Sequence, residues 1–162
     1  METIAKHNKK LVAQYKRSAE ASDIVASAKH LAHLIVASEQ LLHRHRKKIL
    51  SEVLWLISEA DGKYTTRFRS AEVVRLARDE PNSLMKIQHE HVFPRKRVTE
   101  LILKERDLLL NDLPRLDKLL EETVGCVVTT DEHKNLSNSH DGWSRYAKVP
   151  VLDMATNPPT PK

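Results

Sequence analysis

Apolar residues recur at helical spacing along the first 60 residues, a stretch that contains neither glycine nor proline. A short amphipathic segment around Leu11 comes first, and Ser22 or Asp23 is predicted to cap a longer helix after it. That helix would be roughly 50 Å long at about 1.5 Å per residue. We therefore expect it to pack against another helix of one bundle or against its own copy in a dimer. The apolar stripe comprises Ile24, Ala28, Leu31, Ile35, Leu42, Ile49, Val53 and Leu56, widened by Leu34, Leu41, Leu50 and Ile57.

Short extended segments alternate with short helices after the Asp61-Gly62 turn. β-Branched and aromatic residues predict a strand over 63–70, and the sequence LMKIQHEH predicts another over 84–91. Amphipathic spacing predicts helices between and after these strands, over 71–78, 96–110 and 113–123.

A short buried strand is predicted at 126–128, and Thr129 or Thr130 can cap a helix after it. The proline-rich end predicts a disordered tail over 153–162. Only three glycines occur, which argues against an all-β fold with many tight turns. We therefore predict an α+β fold that is mostly helical and contains a small ββα motif. Its parts would be a helical extension over 1–60, a core over 61–152 and the tail.

The charge of the chain favours a polyanionic partner. The formal net charge is +5 and the nine histidines lie outside that sum, which suits DNA, since each neutralised phosphate releases counterions. A single cysteine excludes an internal disulfide and a Cys-rich zinc site within one chain. Residues 1–10 are too polar for a signal peptide and no apolar run reaches the length of a membrane span. These features predict a cytoplasmic protein without a membrane partner.

The candidate chemistry lies in the segment IQHEHVFP, residues 87–94, and in His133 downstream. The predicted strand carries a carboxylate and an imidazole side by side at Glu90 and His91. The second strand leads into a helix whose first turn carries His133, so a ββα arrangement would bring the three groups together. A carboxylate and an imidazole can hold Mg²⁺ or Mn²⁺ and leave positions open for phosphate and water, and a histidine can act as general base near neutral pH.

The pattern Glu90-His91-Val92-Phe93-Pro94 resembles the acidic-His-aliphatic-x-Pro signature of the HNH endonucleases. The segment 127–133, VVTTDEH, resembles the closing strand and metal-binding helix of the same motif. The resemblance covers residues 87–136 and implies a metal-dependent DNA endonuclease. It implies that Glu90 and His133 bind a divalent metal ion and that His91 is the general base.

Positive charge around the site is expected from five residues that would contact the phosphate backbone, namely Arg67, Arg69, Arg95, Lys96 and Arg97.

Alternatives stay open for the metal site and for the whole chain. His89 shares a strand face with His91, so these two histidines could bind the metal instead while Glu90 points away. A second reading of the chain is a non-catalytic helical protein that binds nucleic acid or regulates another protein. A third is a self-associating structural protein built on the long helix.

Overall fold

The computed structural model describes residues 2–137, 140–156 and 160–161. In this part of the chain the helices are α1 (Glu2–Val12), α2 (Ala19–Ala37), α3 (His43–Glu59), α4 (Ala71–Asp79), α5 (Arg95–Lys104), α6 (Arg106–Leu110), α7 (Leu113–Glu121), α8 (Thr130–Lys134) and a 3₁₀ helix (Gly142–Tyr146). The strands are β1 (Phe68–Ser70), β2 (Ile87–His91), β3 (Gly125–Thr129), β4 (Val151–Asp153) and β5 (Thr160–Pro161). The predicted α+β class, mostly helical with a small sheet, is confirmed.

The chain forms two compact units, each assembled from separate stretches of sequence. The first comprises Met1–Arg17, Asp61–Val92 and Gly125–Lys162, and the second comprises Ser18–Ala60 and Phe93–Val124. These boundaries differ from the predicted division into 1–60, 61–152 and 153–162. The physical reason is that helices α5, α6 and α7 share one apolar core with α2 and α3, although the strands β2 and β3 flank them in sequence.

The first unit is built on a mixed sheet with strand order β2-β3-β1-β4-β5. Strands β1 and β3 run parallel, and the other neighbouring pairs are antiparallel. On one face, Val127 packs with Leu11 of α1 and with Val73 and Ala77 of α4. Phe68 lies in register with Cys126 on the other face, where its ring contacts Trp143 of the 3₁₀ helix.

Arg69 is a structural residue of the first unit, and the expectation that it contacts nucleic acid is wrong. Its side chain lies in the interior and is 2% exposed. The guanidinium donates to the main-chain carbonyls of Thr66, Lys10, Leu11 and Ala13. It therefore binds the carboxyl end of α1, where helical carbonyls lack partners within the helix.

The second unit is an all-helical bundle around one apolar core. Its fully buried side chains include Leu50, Leu54, Ile102, Leu109, Leu116 and Leu120. None of the helices within residues 2–137, 140–156 and 160–161 combines the length and the apolar character needed to cross a bilayer.

The single long helix expected near the amino terminus is corrected to two helices, α2 and α3. Ser38 leaves the helical conformation, with φ −64° and ψ 121°, and Leu42 is extended before α3. The Arg46 guanidinium donates to the carbonyls of Ile35 and Ser38 at 3.1 and 2.5 Å, which satisfies the end of α2. The chain folds back because Ala28 and Ile35 of α2 can then share one apolar core with Leu50, Val53 and Ile57 of α3, which one straight helix does not allow. The rest of the stripe is buried only in part, since four of its leucines stay exposed, namely Leu31, Leu34, Leu42 and Leu56.

Two further expectations are corrected in the first unit. The strand predicted over 63–70 is limited to Phe68–Ser70, because Gly62 (φ 92°) and Thr65 form a turn closed by the Thr65 amide on the Gly62 carbonyl. The tail predicted over 153–162 contains strand residues at Asp153 and at Thr160–Pro161; Asp153 pairs with Thr160, and Pro161 pairs with Leu152. Residues 157–159 and 162 lie outside the described residues.

Candidate metal centre

Strands β2 and β3 and helix α8 form the ββα unit that the sequence predicts. The strands pair antiparallel, from Ile87 opposite Thr129 to His91 opposite Gly125. Thr129 caps α8: its hydroxyl accepts the Glu132 amide at 3.1 Å, and the Glu132 carboxylate accepts the Thr129 amide at 2.9 Å. This reciprocal capping box fixes the direction in which the short helix leaves the strand.

Glu132 also attaches α8 to the centre of the sheet. Its carboxylate accepts the Ser70 hydroxyl at 2.6 Å, and Ser70 is itself the cap of α4. Because α8 has only five residues, these contacts hold it in place more than its own hydrogen bonds can. The position of His133 on α8 is therefore determined by side chains of the same unit.

Glu90 and His133 meet across this unit. The distance from Glu90 Oε1 to His133 Nδ1 is 2.9 Å, and the side chains are 17% and 42% exposed. His133 Nδ1 is buried, yet it has no hydrogen-bond partner among the described residues, so its short approach to Glu90 does not have the angle of a hydrogen bond.

The separation of the two atoms fits a shared divalent cation. An octahedral ion with ligand bonds of about 2.1 Å places neighbouring ligand atoms about 3.0 Å apart. Two donors that converge on a third point also approach each other without the alignment of a hydrogen bond. No group of three or more His, Cys, Asp or Glu side chains suited to a metal occurs in the described part of the chain. The candidate is therefore a two-residue site with open positions.

Arg145 holds the other side of the Glu90 carboxylate. Its guanidinium lies 3.7 Å from Glu90 Oε2, and it donates to the main-chain carbonyls of His91 at 2.6 Å and Ser137 at 3.2 Å. The side chain is only 9% exposed. Arg145 thus fastens the 3₁₀ helix to the end of β2 and places a positive charge beside the carboxylate, a role that sequence reasoning missed.

His89 and His91 lie on the opposite face of β2 from Glu90, as the alternation of a strand requires. Their rings are in edge-to-face contact, with centroids 5.2 Å apart. His89 Nδ1 lies 2.7 Å from the Lys63 carbonyl, so Nδ1 carries the proton and the lone pair of the neutral ring is on Nε2. The structure therefore joins Glu90 to His133 and does not bring the His91 ring onto the same face of the strand.

A buried layer lies beneath the Glu90 side of the sheet. Cys126 stands opposite Glu90 in the strand register, and Tyr146 is close to it. Burial raises the pKa of the Cys126 thiol, and the charges of Glu132 and Glu90 raise it further. Burial likewise raises the pKa of Tyr146. Both groups are therefore neutral near pH 7. The Glu90 carboxylate thus lies beside a buried layer that carries no charge.

The expected phosphate-binding residues are distributed over both units. Arg67 belongs to the first unit and forms a two-point ion pair with Asp153, at 2.8 and 2.6 Å, while its side chain stays half exposed. Arg95, Lys96 and Arg97 form the first turn of α5 in the second unit. Arg69 is the buried residue described above.

Comparison of the chain with protein-family models, curated proteins and solved structures finds no match.

Proposed function

We propose that this protein is a metal-dependent endonuclease that hydrolyses DNA phosphodiester bonds. The observation that carries the proposal is the 2.9 Å approach of Glu90 Oε1 to His133 Nδ1 inside a ββα unit. The resemblance of residues 87–136 to the HNH motif supports the same assignment. The net charge of +5 agrees with a DNA partner, and we expect the protein to work in the cytoplasm.

Glu90 and His133 would bind the divalent ion. We expect Mg²⁺ or Mn²⁺ because a carboxylate oxygen is a donor that both ions prefer, and the imidazole nitrogen favours Mn²⁺ of the two. When bound, such an ion stabilises negative charge on the phosphate and on the leaving oxygen. Arg145 holds Glu90 Oε2, which keeps Oε1 towards His133. The half-exposed side of the His133 ring leaves this pair accessible to a substrate.

His91 is the proposed general base. It is the last residue of β2, and β2 is an edge strand of the sheet, so a DNA strand that passes this edge can reach side chains of both faces. His89, in edge-to-face contact with His91, would orient its ring. If the metal binds the two histidines instead, His89 would contribute Nε2.

The alternative is a non-catalytic protein that binds nucleic acid or regulates a partner. The observation that favours it is the position of His91 across the strand from Glu90, because all three groups would otherwise be expected on one face. In that case the Glu90–His133 contact would be an ion pair that fastens α8 to β2.

Cleavage of supercoiled plasmid DNA tests the proposal. We expect nicking with Mg²⁺, Mn²⁺ or Ni²⁺ and none in excess EDTA. Glu90→Gln and His133→Ala should lose most of the activity and regain part of it at high metal concentration, because they weaken metal binding. His91→Ala should lose about 10²–10⁴-fold and should not recover with metal, which cannot replace a proton acceptor.

The matched control is Asp131→Asn on the same helix as His133. Asp131 is 89% exposed and pairs only with Lys134 among the described residues, so its substitution should leave cleavage unchanged. Recovery of cleavage by His91→Ala at high metal concentration would indicate that His89 and His91, and not Glu90 and His133, bind the metal. Absence of cleavage by the wild-type protein under every metal condition would support the non-catalytic alternative.

A further inference from the structure

A pocket of about 410 Å³ lies within the second unit, between helices α3 and α5. It is lined by Lys47 and Ser51 from α3 and by Pro94, Arg95, Lys96 and Thr99 at the beginning of α5. The lining combines three cationic side chains with two hydroxyls and contains no carboxylate. This composition suits an anion.

The beginning of α5 is electrostatically unusual. The first amides of a helix lack partners and carry partial positive charge, so acidic residues are normally favoured there. In α5 the first turn instead carries Arg95, Lys96 and Arg97 and no acidic residue, and Pro94 provides no side-chain cap. Positive side chains are thus concentrated at the positive end of a ten-residue helix, and a bound anion would relieve their repulsion.

Thr99 provides an independent observation. It lines the pocket one turn into α5 and is 1% exposed. Its hydroxyl is buried without a hydrogen-bond partner among the residues that the structure describes. A buried hydroxyl normally finds a partner, because leaving it unsatisfied destabilises the fold. A ligand oxygen in the pocket would provide the missing partner.

The polar groups around the pocket leave a surplus of positive charge. Lys47 pairs with Glu100 at 3.0 Å, and both side chains are about half exposed. The Arg95 guanidinium donates to the Ser51 carbonyl at 3.3 Å through one of its nitrogens. Lys47, then Lys96 and Arg97, lower the pKa of Glu100, so this carboxylate remains charged and balances one of the cations.

We propose that this pocket binds a phosphate group of a nucleic-acid backbone. Phosphate is the common biological anion that accepts hydrogen bonds from several directions, and backbone amides, lysine, arginine and threonine are its usual donors. The part of the proposal that names nucleic acid rests on the nuclease function proposed above. The assignment of a phosphate group as the ligand depends only on residues of the second unit.

The test compares two pocket variants with a control on the same helix. Thr99→Val removes the hydroxyl and keeps the shape of the side chain, and Lys96→Gln removes one exposed cation. Lys104→Gln, at the other end of α5, removes an equal charge far from the pocket. For each protein in EDTA, calorimetry would measure inorganic phosphate binding, and fluorescence anisotropy would measure binding of a short DNA duplex at several salt concentrations.

We expect Thr99→Val to weaken phosphate and DNA binding about 3–10-fold, the effect of one hydrogen bond, without lowering the melting temperature. Lys96→Gln should weaken both ligands and reduce the salt slope of DNA binding by about 0.9. Lys104→Gln should leave phosphate binding unchanged. Weaker phosphate binding with unchanged DNA binding would overturn the nucleic-acid source and leave a small phosphate ligand. Unchanged binding of both ligands in the two pocket variants would overturn the site.

The same proteins separate this proposal from the nuclease proposal. Glu90→Gln should lose plasmid cleavage and keep wild-type binding of DNA in EDTA, because the pocket belongs to the other unit. If the wild-type protein cleaves no DNA while Thr99→Val and Lys96→Gln still weaken DNA binding, the result supports the phosphate site and contradicts the nuclease function.

Discussion

Replacement of Arg69 by methionine removes the charged group that holds the carboxyl end of helix α1. The guanidinium of Arg69 donates to the carbonyls of Lys10, Leu11 and Ala13 at 2.9, 2.6 and 3.1 Å, and to Thr66 at 3.1 Å. Methionine fills a similar volume but donates no hydrogen bond. The substitution therefore isolates the contribution of these bonds to the fold.

The expected loss of stability can be worked from opposing effects. Nε and Nη1 of Arg69 carry three protons between them, and the four carbonyls share these protons. A hydrogen bond from a charged donor contributes about 1.5–3 kcal/mol, so three contribute at least about 4.5 kcal/mol. Burial lowers the pKa of Arg69 to about 10, which corresponds to a desolvation cost of about 3 kcal/mol at about 1.36 kcal/mol per pH unit. We therefore expect Arg69→Met to lower the free energy of unfolding by at least about 1.5 kcal/mol, a substantial part of the roughly 5–15 kcal/mol typical of a domain.

Urea unfolding followed by circular dichroism would measure this loss, and limited trypsin digestion would show whether α1 detaches. We expect faster cleavage after Lys9 and Lys10 in the variant. Arg78→Met is the control, because Arg78 is exposed at the end of α4 and should change stability by less than about 0.5 kcal/mol. A folded Arg69→Met protein with wild-type stability and weakened DNA binding would refute this reasoning and restore Arg69 as a nucleic-acid contact.

The Cys126 thiol, whose pKa is raised by burial, should react with a thiol reagent at about pH 8 only as fast as the protein unfolds; rapid reaction of the native protein would contradict its burial. Gly125→Ala would place a methyl group 2.2 Å from the His89 ring. We therefore expect the ring to move and the protein to melt at a lower temperature. Unchanged His89 resonances in NMR spectra would contradict the movement of the ring. The homodimer through the amino-terminal helices stays a prediction. If a second copy covers Leu31 and Leu56, which are 40% and 45% exposed, light scattering should give twice the mass of one chain, and Leu56→Ser should halve it.

Sequence patterns predicted the regular elements well wherever the local signal was strong. The buried run at 126–128 gave strand β3, and the capping pattern at Thr129 and Glu132 gave α8. The order of these elements was enough to predict that Glu90 and His133 approach each other, since a strand pair followed directly by a short helix leaves few possible arrangements.

Packing between segments that are far apart in sequence could not be predicted from the local pattern of apolar residues. The apolar stripe of residues 24–57 has the same period in one straight helix as in two packed helices, so the break after Ser38 could not be read from it. Arg69 has the sequence appearance of a surface charge, and only the position of α1 makes it an interior residue. Arg145 reaches Glu90 from a segment without periodicity, where sequence offers no guide to direction.

Calorimetric titration with Mn²⁺ would show whether the Glu90–His133 pair binds a metal ion. The wild-type protein, Glu90→Gln, His133→Ala and the control Asp131→Asn would be titrated in the absence of DNA. We expect one Mn²⁺ per chain for the wild-type protein and for Asp131→Asn, with affinity reduced at least about 10-fold in the other two variants. Wild-type Mn²⁺ affinity in Glu90→Gln and His133→Ala would show that these two residues do not bind the metal.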